Sequence, residues 1–329
     1  MKDIAKELQV STALVSYVLT GRENEKRVSI EMAEKIRKVA KDLNYKPSQL
    51  ARSLRGGATM TIGLLLADIA NPFFASLARI IEDEAAKRGY VVLIGSSDES
   101  AEKSASLLDT FIDRQVDGFI IVPTEGSKEQ IESLMEKNNA IVLLDRYFPD
   151  LNTSHVCLNN YNAIAEATTH LIQKGHNKIV MFVYQSSQIP MQERVRGYVE
   201  TMKGLNLERN IKVVEVPYSF TKLEKERLIK MTLQNDINID AVIFANNSLT
   251  IIGLYAIYQL GLKVPEEIAI IGFDGSEVFD FFYAPLTYVE QPLVEIGIKS
   301  VETLIGIIEG ATEIKQFELA HTFHIRNSS

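Results

Sequence analysis

The chain has 329 residues, of which 46 % are hydrophobic and 24 % are charged, and its formal net charge is −8. This length is too great for one compact core and predicts two or three domains. A single cysteine, Cys157, excludes an intramolecular disulfide and any zinc site built from several cysteines. Neither a run of about 18 apolar residues nor the apolar stretch of a signal peptide occurs, so we expect a cytoplasmic protein.

The charge is unevenly distributed along the chain. Residues 1–58 carry twelve basic and seven acidic side chains, a formal charge of +5, whereas the remainder carries −13. A basic head on an acidic body predicts that the head meets a polyanion and that the body does not. Chance clustering of charges would produce the same asymmetry.

The head begins with a pattern of short helices. Residues 3–8 form the first helix, Gln9-Val10 makes a turn, and Ser11 is the N-cap of the second helix. The inward face of this second helix carries Leu14, Val15, Val18 and Leu19. Its outer face is left to Thr12, Ala13, Ser16 and Tyr17. Small and hydrogen-bonding side chains there suit a base edge or a phosphate. Two short helices joined by a tight turn indicate a helix-turn-helix unit.

A second candidate for DNA contact follows the head. Pro47 and Gly56-Gly57 bracket a possible helix of two turns, and a helix this short is marginal in water without a partner. Leu54 would be an exposed apolar residue flanked by Ser53 and Arg55, an arrangement that minor-groove proteins use as a wedge between base steps. A plain interdomain linker fits the same spacing equally well.

From residue 60 onward, strand-like apolar runs alternate with helical stretches. The first set of runs is Ile62–Leu66, Val91–Gly95, Gly118–Val122 and Ile141–Leu144. The second set is Lys178–Val183, Val213–Val216, Ala241–Ala245 and Ile268–Phe273. This alternation predicts parallel sheets covered on both faces, and two sets predict two similar lobes. Because ligands of such sheets bind beyond the carboxyl ends of the strands, we expect a binding cleft between the lobes.

Polar and aromatic side chains gather at the predicted strand ends and at one crossover. They are Asn71, Phe73, Asp145, Arg146, Arg194, Tyr218, Asn246, Asp274 and Gln291. Carboxylates, amides and arginines facing aromatic rings suit a sugar, whose hydroxyls take polar contacts and whose C–H faces stack on rings. Each residue also has a structural explanation: Asn71 would start a helix, and Asp145 would cap a turn.

No constellation of residues predicts catalysis, a metal or a cofactor. The five histidines lack metal-ligand spacing, and the glycine-rich stretches lack a phosphate-loop pattern. Cys157 lies in an apolar run that is typical of a buried strand. We therefore predict a binding protein that is not an enzyme.

Ordered motifs along the chain resemble those of the lactose-repressor (LacI/GalR) family. They include Ile4-Ala5-Lys6, the run from Val10 to Leu19, Tyr45-Lys46-Pro47-Ser48, Ala51 to Arg55, Thr61-Ile62-Gly63-Leu64, Asn71-Pro72-Phe73-Phe74 and Gly272-Phe273-Asp274. The resemblance covers nearly the whole chain. It implies an N-terminal all-α helix-turn-helix head with a hinge, followed by an α/β body that has the fold of periplasmic binding proteins and two parallel-sheet lobes.

The resemblance also implies domain boundaries and partners. The head would span 1–46, the hinge helix and linker 47–59, and the body 60–329, with lobe 1 at about 60–158 and 291–318 and lobe 2 at about 159–290 and 319–329. The implied function is a homodimeric transcription repressor that binds near-palindromic operator DNA under the control of a sugar or sugar derivative, away from any membrane. A sugar carrier with a vestigial head, and an enzyme acting on the bound sugar, are the alternatives.

By resemblance, Arg194, Asn246 and Asp274 hold the effector, and Asp145, Tyr218 and Gln291 match further pocket positions. The expected DNA-binding residues are Ser11, Thr12, Ala13, Ser16, Tyr17, Arg22, Ser53, Leu54 and Arg55.

The sequence departs from the family pattern at three places. The residues that usually precede Lys2 and cap the first helix are absent, so we expect a truncated or frayed start. The loop that begins at Arg22 is longer and more acidic than usual. Asn247 stands where the family commonly has Asp, which removes one negatively charged acceptor from the site.

The aromatic segment 279–283, together with residues 254–258, is either dimer interface or lobe core. No leucine heptads follow the body, which favours a dimer over a tethered tetramer.

Overall fold

The computed structural model describes residues 1–19, 21, 23–43, 45 and 58–329, and the chain divides into two units, Met1–Thr59 and Met60–Ser329. The described part of the first unit holds three helices: α1 (Lys2–Glu7), α2 (Thr12–Leu19) and α3 (Ile30–Asp42). The predicted hinge residues Ser53, Leu54 and Arg55, and the loop residue Arg22, lie outside the described residues.

Local hydrogen bonds explain where the head helices begin. The Ser11 hydroxyl accepts the Leu14 N–H at 3.1 Å before α2, and the Ser29 hydroxyl accepts the Met32 N–H at 3.3 Å before α3. Met1 makes no such side-chain bond to α1. The three helices enclose a small apolar core centred on fully buried residues, which include Ile4, Val15 and Ile36.

The second unit holds two sheets of six strands each. The strands of the first sheet are β1 (Thr61–Leu66), β2 (Val91–Ser96), β3 (Gly118–Ile121), β4 (Ala140–Leu144), β5 (Ser154–Leu158) and β11 (Gln316–Leu319). Those of the second are β6 (Ile179–Tyr184), β7 (Lys212–Val216), β8 (Ala241–Phe244), β9 (Ala269–Phe273), β10 (Thr287–Glu290) and β12 (Thr322–His324).

The two sheets have the same strand order. It is β11-β5-β4-β3-β1-β2 in the first sheet and β12-β10-β9-β8-β6-β7 in the second. All pairs are parallel except β12, which runs antiparallel to β10. The chain passes between the sheets after β5, after β10 and after β11.

Helices cover both faces of each sheet. They are α4 (Pro72–Lys87), α5 (Ala101–Asp113), α6 (Lys128–Glu136), α7 (Asn160–Gln173), α8 (Ile189–Gly204), α9 (Lys222–Asn235), α10 (Asn247–Leu260), α11 (Glu277–Phe281) and α12 (Leu293–Ile308), with a 3₁₀ turn at Glu208–Asn210. We call the first sheet with α4, α5, α6 and α12 lobe 1, and the second sheet with α7 to α11 lobe 2.

Successive residues of a central strand pack in two separate apolar cores, one on each face of the sheet. In lobe 1, Leu64 packs in the core shared with Leu77 of α4 and Leu304 of α12, whereas Leu65 packs in the core shared with Phe111 of α5. A strand buried on both faces reads as a continuous apolar run, which is why central strands such as β1, β3 and β8 were recognisable. The edge strands β2 and β7 are only partly buried, although their sequences are also rich in valine. The predicted fold class, an all-α head and an α/β body of two parallel-sheet lobes, is confirmed.

Candidate functional site

A cleft of about 420 Å³ lies between the lobes, lined by residues that follow strand ends in both sheets. All nine side chains predicted for the effector site line it: Asn71, Phe73, Asp145, Arg146, Arg194, Tyr218, Asn246, Asp274 and Gln291. The fold thus brings together residues that are up to 220 positions apart, because the carboxyl ends of parallel strands meet at one edge of each sheet.

Two buried carboxylates provide acceptors in the cleft. Asp145 follows β4 and Asp274 follows β9, and both have a left-handed backbone, with φ of 64° and 60°. Burial raises the pKa of Asp274 to about 6, although the Arg194 charge and a 2.8 Å hydrogen bond from Gln291 Nε2 pull it down. Burial likewise raises the pKa of Asp145 against the charges of Arg146 and Arg194.

Two asparagines provide donors, because helix capping occupies their oxygens. Asn71 Oδ1 accepts the Phe73 N–H at 3.1 Å before α4, and Asn246 Oδ1 accepts the Leu249 N–H at 2.8 Å before α10. Neither Nδ2 donates to a group in the described part of the chain. The structural explanation for Asn71 is therefore correct, and it leaves the amide NH₂ free to donate to a ligand.

Arg194 is a buried arginine held rigidly by lobe 2. Its Nε donates to Asn160 Oδ1 at 2.7 Å, its Nη1 donates to the Ala245 carbonyl, and its guanidinium stacks 3.7 Å from the centre of the Phe273 ring. Burial lowers the pKa of Arg194, opposed by the charges of Asp274 and Asp145. Among the described residues Nη2 has no acceptor, so one fixed donor remains for a ligand oxygen.

Arg146 enters the cleft as half of an ion pair that the sequence did not predict. Its Nη1 and Nη2 donate to the Glu99 carboxylate at 2.7 and 2.6 Å, and Nη1 also donates to the Pro123 carbonyl at 3.2 Å. Burial opposes the charged form, but the hydrogen bonds and charge of Glu99 outweigh it and raise the pKa of Arg146. Glu99 follows β2. It could therefore have been predicted in the same way as the other site residues, which were chosen because they follow apolar strands.

Aromatic rings form two walls of the cleft. Phe73 and Phe74 meet edge to face with 5.0 Å between ring centres, and Tyr184 and Tyr218 do so at 5.2 Å. Tyr218 is 47 % exposed, and its partial burial together with the charges of Asp68 and Glu99 raises the pKa of its hydroxyl to about 12. The ammonium of Lys225 lies 4.9 Å and 5.2 Å from the centres of the two tyrosine rings. Tyr184 and Lys225 were not predicted to line the cleft.

Asn247 has a structural role in the cleft that the sequence did not predict. Its Nδ2 donates to the main-chain carbonyls of Asp274 at 3.2 Å and Gly275 at 3.5 Å. A carboxylate at this position has no proton to donate to those carbonyls. Asn247 therefore anchors the backbone that carries one of the two buried acceptors.

The head presents part of the predicted DNA-binding surface. Ser11, Thr12 and Ala13 are exposed at the start of α2, and Tyr17 is half-buried with the Lys26 ammonium 5.7 Å from its ring centre. The placement of Ser16 on the outer face was wrong, since this side chain is only 3 % exposed. Because α2 packs against both α1 and α3, a wider arc of the helix is buried than its apolar residues alone indicate.

Other features of the described ranges concern metals, membranes and the cysteine. Within residues 1–19, 23–43 and 58–329, no three His, Cys, Asp or Glu side chains are grouped to hold a metal ion. No helix in those ranges has the length and apolar character needed to cross a membrane. Burial raises the pKa of the Cys157 thiol to about 12, which keeps it protonated in the core.

Two family models match the chain. The model of bacterial regulatory proteins of the lacI family matches residues 1–48, and the model of periplasmic binding proteins and the sugar binding domain of the LacI family matches residues 59–327. A ribose operon repressor of Halalkalibacterium halodurans is 33 % identical over 309 residues, which cover 94 % of this chain and 90 % of the relative. The transcriptional repressor PurR of Aliivibrio fischeri is 31 % identical over 334 residues, covering 100 % and 97 %.

Solved structures show the same similarity. A LacI family regulator from Enterococcus faecium with bound ribose has a TM-score of 0.73 at 25 % identity, covering 82 % of this chain and 98 % of that one. The lac repressor dimer bound to operator and an anti-inducer has a TM-score of 0.87 at 20 % identity, covering 99 % and 97 %, which is a likeness of fold.

Proposed function

Since this chain belongs to the LacI family of bacterial regulatory proteins, we propose that it represses transcription from an operator in the cytoplasm and that a pentose-type sugar in its cleft controls operator binding. The observation that carries the proposal is the convergence of nine predicted side chains from both lobes on one cleft.

The chemistry of the cleft supports a polyhydroxylated ligand. The amide groups of Asn71 and Asn246 and one Arg194 nitrogen offer donors, while Asp145 and Asp274 offer acceptors. A sugar hydroxyl both donates and accepts, so several hydroxyls satisfy such a set at once. The names of the relatives point the same way, since they include ribose operon repressors and a regulator with bound ribose.

The head supports operator binding. Ser11, Thr12 and Ala13 lie exposed at the N-terminal end of the second helix of a helix-turn-helix, the end that enters the major groove. Leu54, with Ser53 and Arg55, remains the predicted minor-groove wedge, and Arg22 a predicted base contact. Two heads would read the two halves of a near-palindromic site.

Exposed aromatic side chains on lobe 2 support a homodimer. Tyr258 is 69 % exposed, Phe281 is 85 % and Tyr283 is 61 %, whereas Phe279 is fully buried in the lobe core. Aromatic residues are enriched at protein interfaces, and large rings left in water favour a partner surface. We therefore assign the exposed part of the segment to the dimer and Phe279 to the core.

Two measurements on the full-length protein test the proposal. Gel-shift titration with fragments of the DNA upstream of its own gene and neighbouring genes should retain one fragment specifically, with an affinity that falls steeply with salt. Isothermal titration with D-ribose, D-xylulose and D-glucose should detect binding of a pentose, and that sugar should change operator affinity. Sugar binding without a retained fragment would instead support the carrier, and consumption of the sugar would support an enzyme.

A further inference from the structure

Two loops from opposite lobes join at the mouth of the cleft. Residues 122–127 follow β3 in lobe 1, and residues 185–188 follow β6 and precede α8 in lobe 2. One oxygen of the Glu125 carboxylate, Oε1, accepts the Ser187 N–H at 2.6 Å, the Ser187 hydroxyl at 2.8 Å and the Ser186 hydroxyl at 3.1 Å. Hydrogen bonds to an ionised carboxylate are stronger than those between neutral groups.

Further contacts join the lobes beside this cluster. Gln188 Nε2 donates to the Pro123 carbonyl at 3.4 Å between the same two loops. The Tyr218 hydroxyl donates to Asp68 Oδ2 at 3.5 Å, joining residues that follow β7 and β1. Polar contacts from residues that follow several strands of each lobe therefore join the two lobes across the cleft.

The lobe 1 loop is already shaped to present its carboxylate. The Ser127 hydroxyl accepts the Thr124 N–H at 3.1 Å and donates to the Thr124 carbonyl at 2.8 Å, and Gly126 takes the left-handed φ of 76° that the turn needs. On the other side, α8 has no side-chain cap of its own. A carboxylate near the N-terminus of a helix is favoured by the helix dipole.

Arg146 connects the loops to the ligand site. Its Nη1 donates to the Pro123 carbonyl, the same acceptor that Gln188 reaches from lobe 2. Burial disfavours the charged form of Glu125, but the hydrogen bonds from Ser187 and Ser186 and the Arg146 charge outweigh it and lower its pKa. A ligand that contacts Arg146 therefore touches a side chain that is hydrogen-bonded to the Pro123 carbonyl, which also accepts the hydrogen bond from Gln188 of lobe 2.

We propose that Glu125 is a positioning residue for the effector: with Ser186 and Ser187 it forms a latch that holds the two lobes closed over the ligand. The identity of the ligand rests on the proposed function, but the latch itself rests on contacts between the lobes. Opening of the latch precedes escape of the effector, so losing it lowers both closure and affinity.

Closure is tested first without any sugar. Spin labels at Glu102→Cys in lobe 1 and Lys203→Cys in lobe 2 report the distance between the lobes by pulsed electron resonance, in full-length protein mixed with excess unlabelled chain. Glu125→Ala, and Ser186→Ala with Ser187→Ala, should each add a longer-distance population, whereas Glu129→Ala, at an exposed position of α6, should not. An unchanged distance distribution in both latch variants overturns the proposal, whether or not a sugar binds.

Affinity is tested by titrating D-ribose into the same variants. Glu125→Ala and the double serine variant should each weaken binding by about 5- to 30-fold. Their combination should be no weaker than either alone, because all three residues make one contact. Glu125→Gln keeps an accepting oxygen and should restore most of the affinity. Multiplicative effects, or wild-type affinity in Glu125→Ala, contradict the latch. Failure of the unaltered protein to bind any pentose contradicts the proposed effector instead, and the distance measurement still decides the latch.

Discussion

Asp145 and Asp274 occupy equivalent positions in the two lobes. Each follows the fourth strand of its lobe along the chain, each has a positive φ, and each donates its main-chain N–H to a valine carbonyl, Val156 at 2.9 Å and Val289 at 2.8 Å. Aspartate adopts this left-handed conformation more readily than most residues, because its short polar side chain can hydrogen-bond locally. The same turn in both lobes carries two buried carboxylates to one cleft, which supports a role in binding.

Asp274→Asn tests that role directly. The substitution keeps the shape of the side chain but replaces a charged acceptor, so D-ribose binding should weaken by about 10- to 100-fold. Asp113→Asn, on the exposed end of α5, is the matched control and should leave binding unchanged. Because burial disfavours the charge of Asp274, the ligand-free variant should unfold at the same or a higher temperature than the unaltered protein. Equal affinities for D-ribose in the two variants would remove Asp274 from the site.

The raised pKa of Asp274 also predicts how binding depends on pH. Sugar hydroxyls donate best to the ionised carboxylate, which forms as the pH rises through about 6 in the free protein. Affinity for D-ribose should therefore increase from pH 5 to pH 7 and then level off, and the slope should be reduced in Asp274→Asn. Calorimetric titrations at three pH values test this dependence of affinity on pH, and a flat profile would contradict it.

The same raised pKa has the opposite consequence for the stability of the fold. The pKa of Asp274 in the folded protein lies above its value in the unfolded chain, so this carboxyl group stabilises the fold at low pH. That contribution is lost as the pH rises from about 4 to about 6.

Asn247→Asp introduces the carboxylate that the family resemblance led us to expect at this position, and it should be unfavourable in this chain. The new carboxylate loses the hydrogen bonds to the carbonyls of Asp274 and Gly275 and places a negative charge beside them. We expect a loss of about 1–3 kcal/mol in the free energy of unfolding and weaker sugar binding. Asn162→Asp, at an exposed position in the first turn of α7, controls for the change of charge. Denaturant unfolding at pH 7.5 makes the comparison, and equal stability of the two variants would show that Asn247 anchors nothing.

The pattern of apolar runs along the sequence predicted most strands of the fold and the residues that line the cleft. Asn71, Asp145 and Asp274 each come directly after or soon after an apolar strand, and parallel topology alone brings such positions together. The strands that were missed include β11 and β12, which are short and polar, with the sequences QFEL and TFH. Their identity depends on neighbouring strands rather than on their own pattern.

The contacts between lobes could not be found in this way. Glu125 and Ser187 are 62 positions apart and meet only because one lobe faces the other. Ser16 was misplaced for a related reason, since its burial depends on two other helices of the head. In both cases the deciding fact is the distance between elements, which local periodicity does not encode.

Because Ser16 is buried and Thr12 is exposed, substitutions at these two positions of α2 should weaken DNA binding in different ways. Thr12→Ala removes an exposed hydroxyl at the start of α2, so binding should weaken most on operators that keep the base pair it contacts, by about 1–3 kcal/mol. Ser16→Val enlarges a buried side chain and should instead lower the stability of the head, weakening every operator variant alike. Gel shifts on a set of single-base operator variants, beside thermal unfolding of each protein, distinguish the two. A change of base preference in Ser16→Val at unchanged stability would return Ser16 to the DNA-contacting surface.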